Sequence, residues 1–279
     1  MPGIYMRFPG GLPKALTLSY DDGVEEDIRL IEIMKQHGLK GTFNINSGMY
    51  LDEDKSWPEG YLYRRMKKSQ SIATYKDSGM EVATHAVNHP GLAELPINII
   101  VRELMDDRRN LERDYGCIVR GHAYPFGSIS NDVIAALKVC GIVYARKTGP
   151  TGSFKLPEEW HRWHPTCHHN HPQLMEFAQE FVDKTTRHAP LLFYVWGHSY
   201  EFTRDNNWDR IEQFAEYMGG RPDVWYATNI EIYDYMQAYR LLEFSMDGKL
   251  VHNPSAIEVF FEVAEKPYSI LPGQTITIE

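Results

Sequence analysis

Asp21 and Asp22 stand side by side in Ser19-Tyr20-Asp21-Asp22-Gly23, directly after the apolar run Ala15-Leu16-Thr17-Leu18. That run reads as a buried strand, and a helix pattern begins near Glu25. Both carboxylates therefore fall at the C-terminal end of a strand, where α/β folds gather their chemistry. Adjacent carboxylates repel, and the conflict is relieved when one ligates a cation and the other stays free as a base. Asp-Asp-Gly would also suit a plain turn with a helix-capping Asp, so the partners further along decide. His85 and His89 are spaced i, i+4, which on a helical turn puts both imidazoles on one face, able to grip one cation. The metalloprotease pattern H-E-x-x-H has this spacing, but residue 86 is Ala, so the base must come from elsewhere. Asp22 with His85 and His89 makes an open zinc-type ligand set. Cobalt, nickel and iron are also compatible with such ligands. Asp21 then takes the proton of a metal-activated water as it attacks a carbonyl, with the metal and a backbone N–H holding the oxyanion. His198, at the end of the strand-like run Leu191–Gly197, is placed to protonate a leaving amine.

The elements that must position these residues alternate along the chain. Helix patterns over 25–37, 62–77, 96–114, 131–139, 173–185, 208–218 and 231–240 separate apolar strands at 41–46, 80–84, 117–124, 142–146, 190–196 and 223–228. About seven β/α repeats with near-continuous apolar strands predict a parallel sheet covered by helices, closed as a deformed (β/α)7-type barrel. The region 147–165 reads as irregular. After it, His161, His164, His168, His169 and His171 crowd around Cys167. Such a tract suits a second metal, a substrate-contacting loop or a solvated loop. Past residue 239 the pattern changes to short strands joined by turns, with Asp247-Gly248 as a hairpin signal. We expect a barrel over residues 1–238 and a small antiparallel β extension over 239–279.

Composition narrows the partners. The chain has 279 residues, 43% hydrophobic and 13% aromatic, which suits a packed globular protein. Net charge is −9 and no Lys/Arg run exceeds two residues, against a nucleic-acid or anionic-membrane partner. No apolar run approaches membrane-spanning length, and no signal segment is visible at the N-terminus. The three cysteines are scattered, fitting reduced thiols. A cytoplasmic location is expected, with oligomerisation left open.

In order, the motifs resemble those of the polysaccharide deacetylases, the NodB-homology or carbohydrate esterase family 4 enzymes. Ser19-Tyr20-Asp21-Asp22-Gly23 is similar to the family's first motif and His85-Ala86-Val87-Asn88-His89 to its second. Ala123-Tyr124-Pro125-Phe126-Gly127 aligns with the third and Val195-Trp196-Gly197-His198 with the fifth. The resemblance covers about residues 14–230. It implies a divalent metal, often zinc, on Asp22, His85 and His89, with Asp21 as base and His198 as acid. It also implies an oxyanion contact from the Phe126 backbone N–H, and substrate contacts at Tyr124 and Trp163, the latter walling the acetyl methyl. The reaction implied is hydrolysis of an acetyl group, N-acetyl favoured, from a sugar or glycan fragment. A non-sugar or cyclic amide, or a non-catalytic carbohydrate-binding derivative, are the alternatives. Three departures stand out. The third motif's Arg is Ala123, leaving Arg120 or Arg162 as candidate partners for the base. Ala86 replaces a Ser or Thr. The fourth motif's Asp, which tunes the catalytic His, is absent from Trp160-His161-Arg162-Trp163-His164-Pro165.

Overall fold

Lys14–Asp21 is buried at all eight positions and pairs with three other strands. The computed structural model describes residues 3–278. Its strands are β1 (Ile4–Arg7), β2 (Lys14–Asp21), β3 (Gly41–Ile45), β4 (Glu81–Thr84), β5 (Gly121–Ala123), β6 (Tyr144–Arg146), β7 (Cys167–His168), β8 (Leu191–Gly197) and β9 (Val224–Tyr226), then β10 (Glu243–Phe244), β11 (Leu250–His252), β12 (Val259–Val263), β13 (Lys266–Ile270) and β14 (Thr275–Thr277). The parallel sheet runs β6-β5-β4-β3-β2-β8-β7, and β9 pairs with the first residues of β2. Burial on both faces explains why these strands read as continuous apolar runs instead of alternating ones.

The sheet curls into a deformed barrel, and the stretch expected to be irregular spans its two edges. Trp163 bridges to Arg146 on β6, donating its N–H to Ala145 O at 3.1 Å. Four residues on, β7 pairs with Val195 and Trp196 of β8. At the opposite end of the barrel, Glu81 at the start of β4 ties three elements together. It accepts from Tyr144 Oη at 2.7 Å, Thr42 Oγ1 at 2.7 Å and the backbone N–H of Ile230 at 2.9 Å. Ile230 is the second residue of the helix Asn229–Arg240, whose N-terminus is held by a capping box between Thr228 and Glu231.

Two small antiparallel sheets, β10-β11-β14 and β1-β12-β13, make up the extension. The Asp247-Gly248 signal does mark the turn between β10 and β11, with Gly248 at φ 70°. β1 was not anticipated: the N-terminal strand crosses to pair with Phe260–Val263. The helix expected over 62–77 starts only at Lys68. Its first turns are lost because the backbone of 64–66 bonds to the segment leaving β2, through Glu25 N–H to Arg64 O at 2.8 Å and Met66 N–H to Gly23 O at 3.1 Å. That pairing carries Arg65 to the C-terminal end of the barrel. The strand expected over 117–124 is confined to Gly121–Ala123. Among the described residues no helix is long and apolar enough to cross a membrane.

Burial pushes the Glu81 carboxyl up from the usual 4.5 to about 7, against the opposing pull of its three donors. Between those values the folded state holds a proton that the unfolded chain has released. The resulting stabilisation is full below pH 4.5 and is lost as pH rises through 7. Glu81→Gln removes this term. The stability advantage of wild type over Glu81→Gln should therefore shrink by about 2–3 kcal/mol across that window, read from urea unfolding at several pH values.

Candidate active site

The C-terminal ends of β2, β5 and β8, with the loop after β4, converge on a cavity of about 650 Å³. Its lining includes Asp21, Asp22, His85, His89, Trp196 and His198. Asp21 ends β2, and Asp22 follows it with φ 86°. Ala86 (φ 61°), His89 (φ 54°) and Phe126 (φ 56°) are left-handed as well. Non-glycine residues pay for this conformation, and such strain gathers where function fixes the backbone. It also corrects the expectation of a helical turn at His85–His89. The segment is a loop, and two left-handed residues, not helical spacing, bring the rings together.

Each buried carboxylate has its own counter-ion. Asp21 accepts from Asn44 Nδ2 at 2.8 Å and from Arg146 Nη2. Arg146 is fully buried, with its guanidinium 4.4 Å over the Trp196 ring. Asp22 Oδ1 accepts from Arg65 Nη2 at 2.9 Å. The other arm of that guanidinium reaches the Asp22 carbonyl and, at 2.7 Å, Asn46 Oδ1. Burial pushes the Asp22 carboxyl up, but Arg65, His85 and His198 outweigh it and hold the group below the usual range.

The donor set of Asp22, His85 and His89 fits a divalent cation. His85 Nδ1–H donates to Ala123 O at 2.7 Å, which leaves Nε2 as a bare lone pair aimed into the site. His85 Nε2 lies 3.1 Å from His89 Nε2, and Asp22 Oδ1 lies 3.8 Å and 3.6 Å from these two atoms. Ligands of a tetrahedral ion with bonds of about 2.0–2.1 Å stand about 3.3 Å apart, and these separations lie within about half an ångström of that spacing. Burial lowers the pKa of both rings, keeping them neutral and able to ligate.

His198 stands opposite, its Nε2 3.8 Å from Asp21 Oδ2 and 3.9 Å from Asp22 Oδ2. On its far side Nδ1 faces Glu201 Oε2 at 3.6 Å. Burial alone would lower the pKa of His198, but Glu201, Asp21 and Asp22 outweigh it and raise the value. Tyr124 lines the cavity and donates its hydroxyl to His161 O at 2.8 Å. Phe126 is 75% exposed at the rim, and its ring meets His89 edge-on at 4.4 Å.

Three expectations are corrected. Arg146, not Arg120 or Arg162, pairs with Asp21: Arg120 is bound to Asp234, and Arg162 to Asn131 and Glu159. Trp163 is not a cavity wall. It is buried among Tyr144, Trp160 and Tyr194 because its backbone spans the sheet edges, and the tryptophan lining the cavity is Trp196. A carboxylate does face His198, but it is Glu201, supplied by the helix Tyr200–Arg204. Its i, i+3 spacing from His198 was a usable signal, as was a lone Arg ending the apolar strand Tyr144–Arg146. Arg65 offered none.

The polysaccharide deacetylase family model matches residues 10–145. No curated protein sequence matches the chain. Among solved structures, a Mycobacterium smegmatis protein assigned to the polysaccharide deacetylases aligns at 13% identity and TM-score 0.58, over 86% of this chain and 96% of that one. The Bacillus subtilis peptidoglycan deacetylase PdaC, in a mutant form, aligns at 12% identity and TM-score 0.50, over 82% of this chain and 96% of that one. The Streptococcus pyogenes deacetylase PplD aligns at 19% identity and TM-score 0.42, over 47% of this chain and 55% of that one, so this chain spans about half of its length. At these identities the first two structures share the fold, a deformed α/β barrel. With the motifs in order, residues 10–145 are similar to the polysaccharide deacetylase family.

Removing Arg146 leaves the Asp21 charge buried and unpaired. Arg146→Met should therefore cost about 3–5 kcal/mol of stability in chemical denaturation, with most of that loss recovered in the double variant with Asp21→Asn.

Proposed function

We propose that this protein is a metal-dependent deacetylase that hydrolyses an acetyl group, N-acetyl in preference to O-acetyl, from a sugar or glycan fragment. One observation carries the reading. Asp21 Oδ2 lies 3.9 Å from the ligand atom His85 Nε2 and 3.8 Å from His198 Nε2, so base, acid and ligand set face one point. A divalent ion, zinc by preference, held by Asp22, His85 and His89 would supply Lewis acidity toward the acyl oxygen and the attacking water.

The protein's own residues account for the proton movements. Asp21, paired with Arg146 and oriented by Asn44, accepts a proton from water as the water oxygen bonds to the acyl carbon. The Phe126 N–H serves as a donor to the resulting oxyanion, and its left-handed backbone sets the direction of that bond. His198 gives its Nε2 proton to the leaving nitrogen as the C–N bond breaks, releasing acetate and the amine. Glu201 stabilises the protonated form of His198 that this step requires. Tyr124 and Trp196 wall the cavity around the acetyl group.

Acetate release from a panel of N- and O-acetylated sugars, with metal stripped and then restored, tests the reading. Activity should appear only with metal present. Full activity without metal contradicts the ligand roles, and release only from cyclic or linear amides replaces the sugar as substrate. Asp21→Asn should abolish turnover while metal content, read by elemental analysis, stays at the wild-type level. Loss of metal in that variant would make Asp21 a ligand. Glu201→Gln removes the charge that raises the His198 pKa, so the alkaline limb of the kcat/KM profile should move to lower pH. An unmoved limb would assign that limb to another group.

A further inference from the structure

Behind His198, away from the cavity, lies a second group of ligating atoms. We infer that Nε2 of His168, Nδ1 of His198 and a carboxylate oxygen of Glu201 form a second site for a zinc-type cation, and that filling it disables His198. The three residues come from β7, the end of β8 and the helix that follows, and one ligand atom from each lies within 4.8 Å of the others. Glu201 Oε2 is 3.1 Å from His168 Nε2 and 3.6 Å from His198 Nδ1. Two nitrogens and one carboxylate oxygen make the donor set of an open zinc site.

One buried atom points the same way. His198 Nδ1 has no hydrogen bond within 3.5 Å among the described residues. Its nearest acceptor, Glu201 Oε2 at 3.6 Å, is shared with His168 Nε2 and His169 Nε2. Leaving such a buried atom unsatisfied is costly, and a cation between His168, His198 and Glu201 would answer that cost. His169 Nε2 lies 3.2 Å from Glu201 Oε2, and its ring is stacked on Phe202 at 4.1 Å, so it can orient the carboxylate from behind. Arg204 approaches the other oxygen, Oε1, at 3.5 Å and leaves Oε2 available.

Binding here has a built-in handicap. The Asn170 N–H donates to His168 Nδ1 at 3.1 Å, which keeps the ring proton on Nε2 in the free protein. A cation must displace that proton and forfeit the bond, so this site is weaker than the one on Asp22, His85 and His89. The consequence for His198 is direct. A cation on Nδ1 prevents the ring from carrying two protons, so it cannot act as the imidazolium that protonates a leaving amine. Excess metal is therefore inhibitory, a consequence that rests on the acid role proposed above. Occupancy of the second site does not depend on that role.

Equilibrium dialysis of the full chain against zinc, with elemental analysis, separates the two sites. Wild type should bind two zinc ions, the second more weakly. His168→Gln should retain one and His89→Ala should retain one. A wild type that saturates at one zinc, or a second zinc that persists in His168→Gln, overturns the proposal. Undiminished binding in His89→Ala instead sinks the ligand set of the proposed function and leaves the second site to be judged on His168→Gln. In wild type the second equivalent should protect His168 from diethylpyrocarbonate, and absence of protection counts against the site even if the variant does not fold. Activity should fall about a hundredfold as the second ion binds, and this fall should vanish in His168→Gln.

Discussion

Two adjacent carboxylates buried at the end of one strand repel, and the site depends on how that repulsion is resolved. Both are almost sealed from solvent, where a carboxylate charge without a partner is costly. The chain gives each a separate cation: Arg146 from β6 for Asp21, and Arg65 from the loop before the helix Lys68–Tyr75 for Asp22. The left-handed turn at Asp22 separates their directions. Asp21 faces Asn44 and the inner wall, while Asp22 faces His85 and His89. The separation of Asp21 from the donor set Asp22, His85 and His89 is thus built into the fold.

The barrel exists to deliver these groups to one rim. β2 carries the two aspartates, the loop after β4 the two histidines, β6 the buried arginine, and β8 leads into His198. A parallel sheet puts all of these strand ends on the same side. The stretch 163–169 holds the edges of the sheet together, and it also sets His168 and His169 against Glu201. Closure of the barrel and construction of the side-chain cluster behind His198 are therefore the same structural event.

Much of this was legible in the sequence, for a physical reason. Asp21, Asp22, His85 and His198 each follow an apolar strand, so period and punctuation alone place them on the rim. The alternation of strands and helices in a parallel sheet follows from the same patterns. What was not legible depends on contacts between distant segments. Arg65 reaches the site because 64–66 bonds to 23–25 and forgoes a helix that its residues otherwise favour. Arg146 and Trp163 take their places from pairing across the barrel's closing edge, which leaves no local periodic trace. His85 and His89 were paired correctly for the wrong reason. Their i, i+4 spacing suggested a helix face, whereas left-handed residues achieve the convergence.

The division of labour between Asp21 and Asp22 is most directly tested by anomalous diffraction at the zinc edge, on crystals grown with one equivalent of zinc. The expected map has one strong peak bound by Asp22, His85 and His89, with Asp21 still paired to Arg146 and outside bonding distance of the ion. A peak ligated by Asp21, or an Asp21 released from Arg146 on metal binding, would contradict the separation of base from ligand.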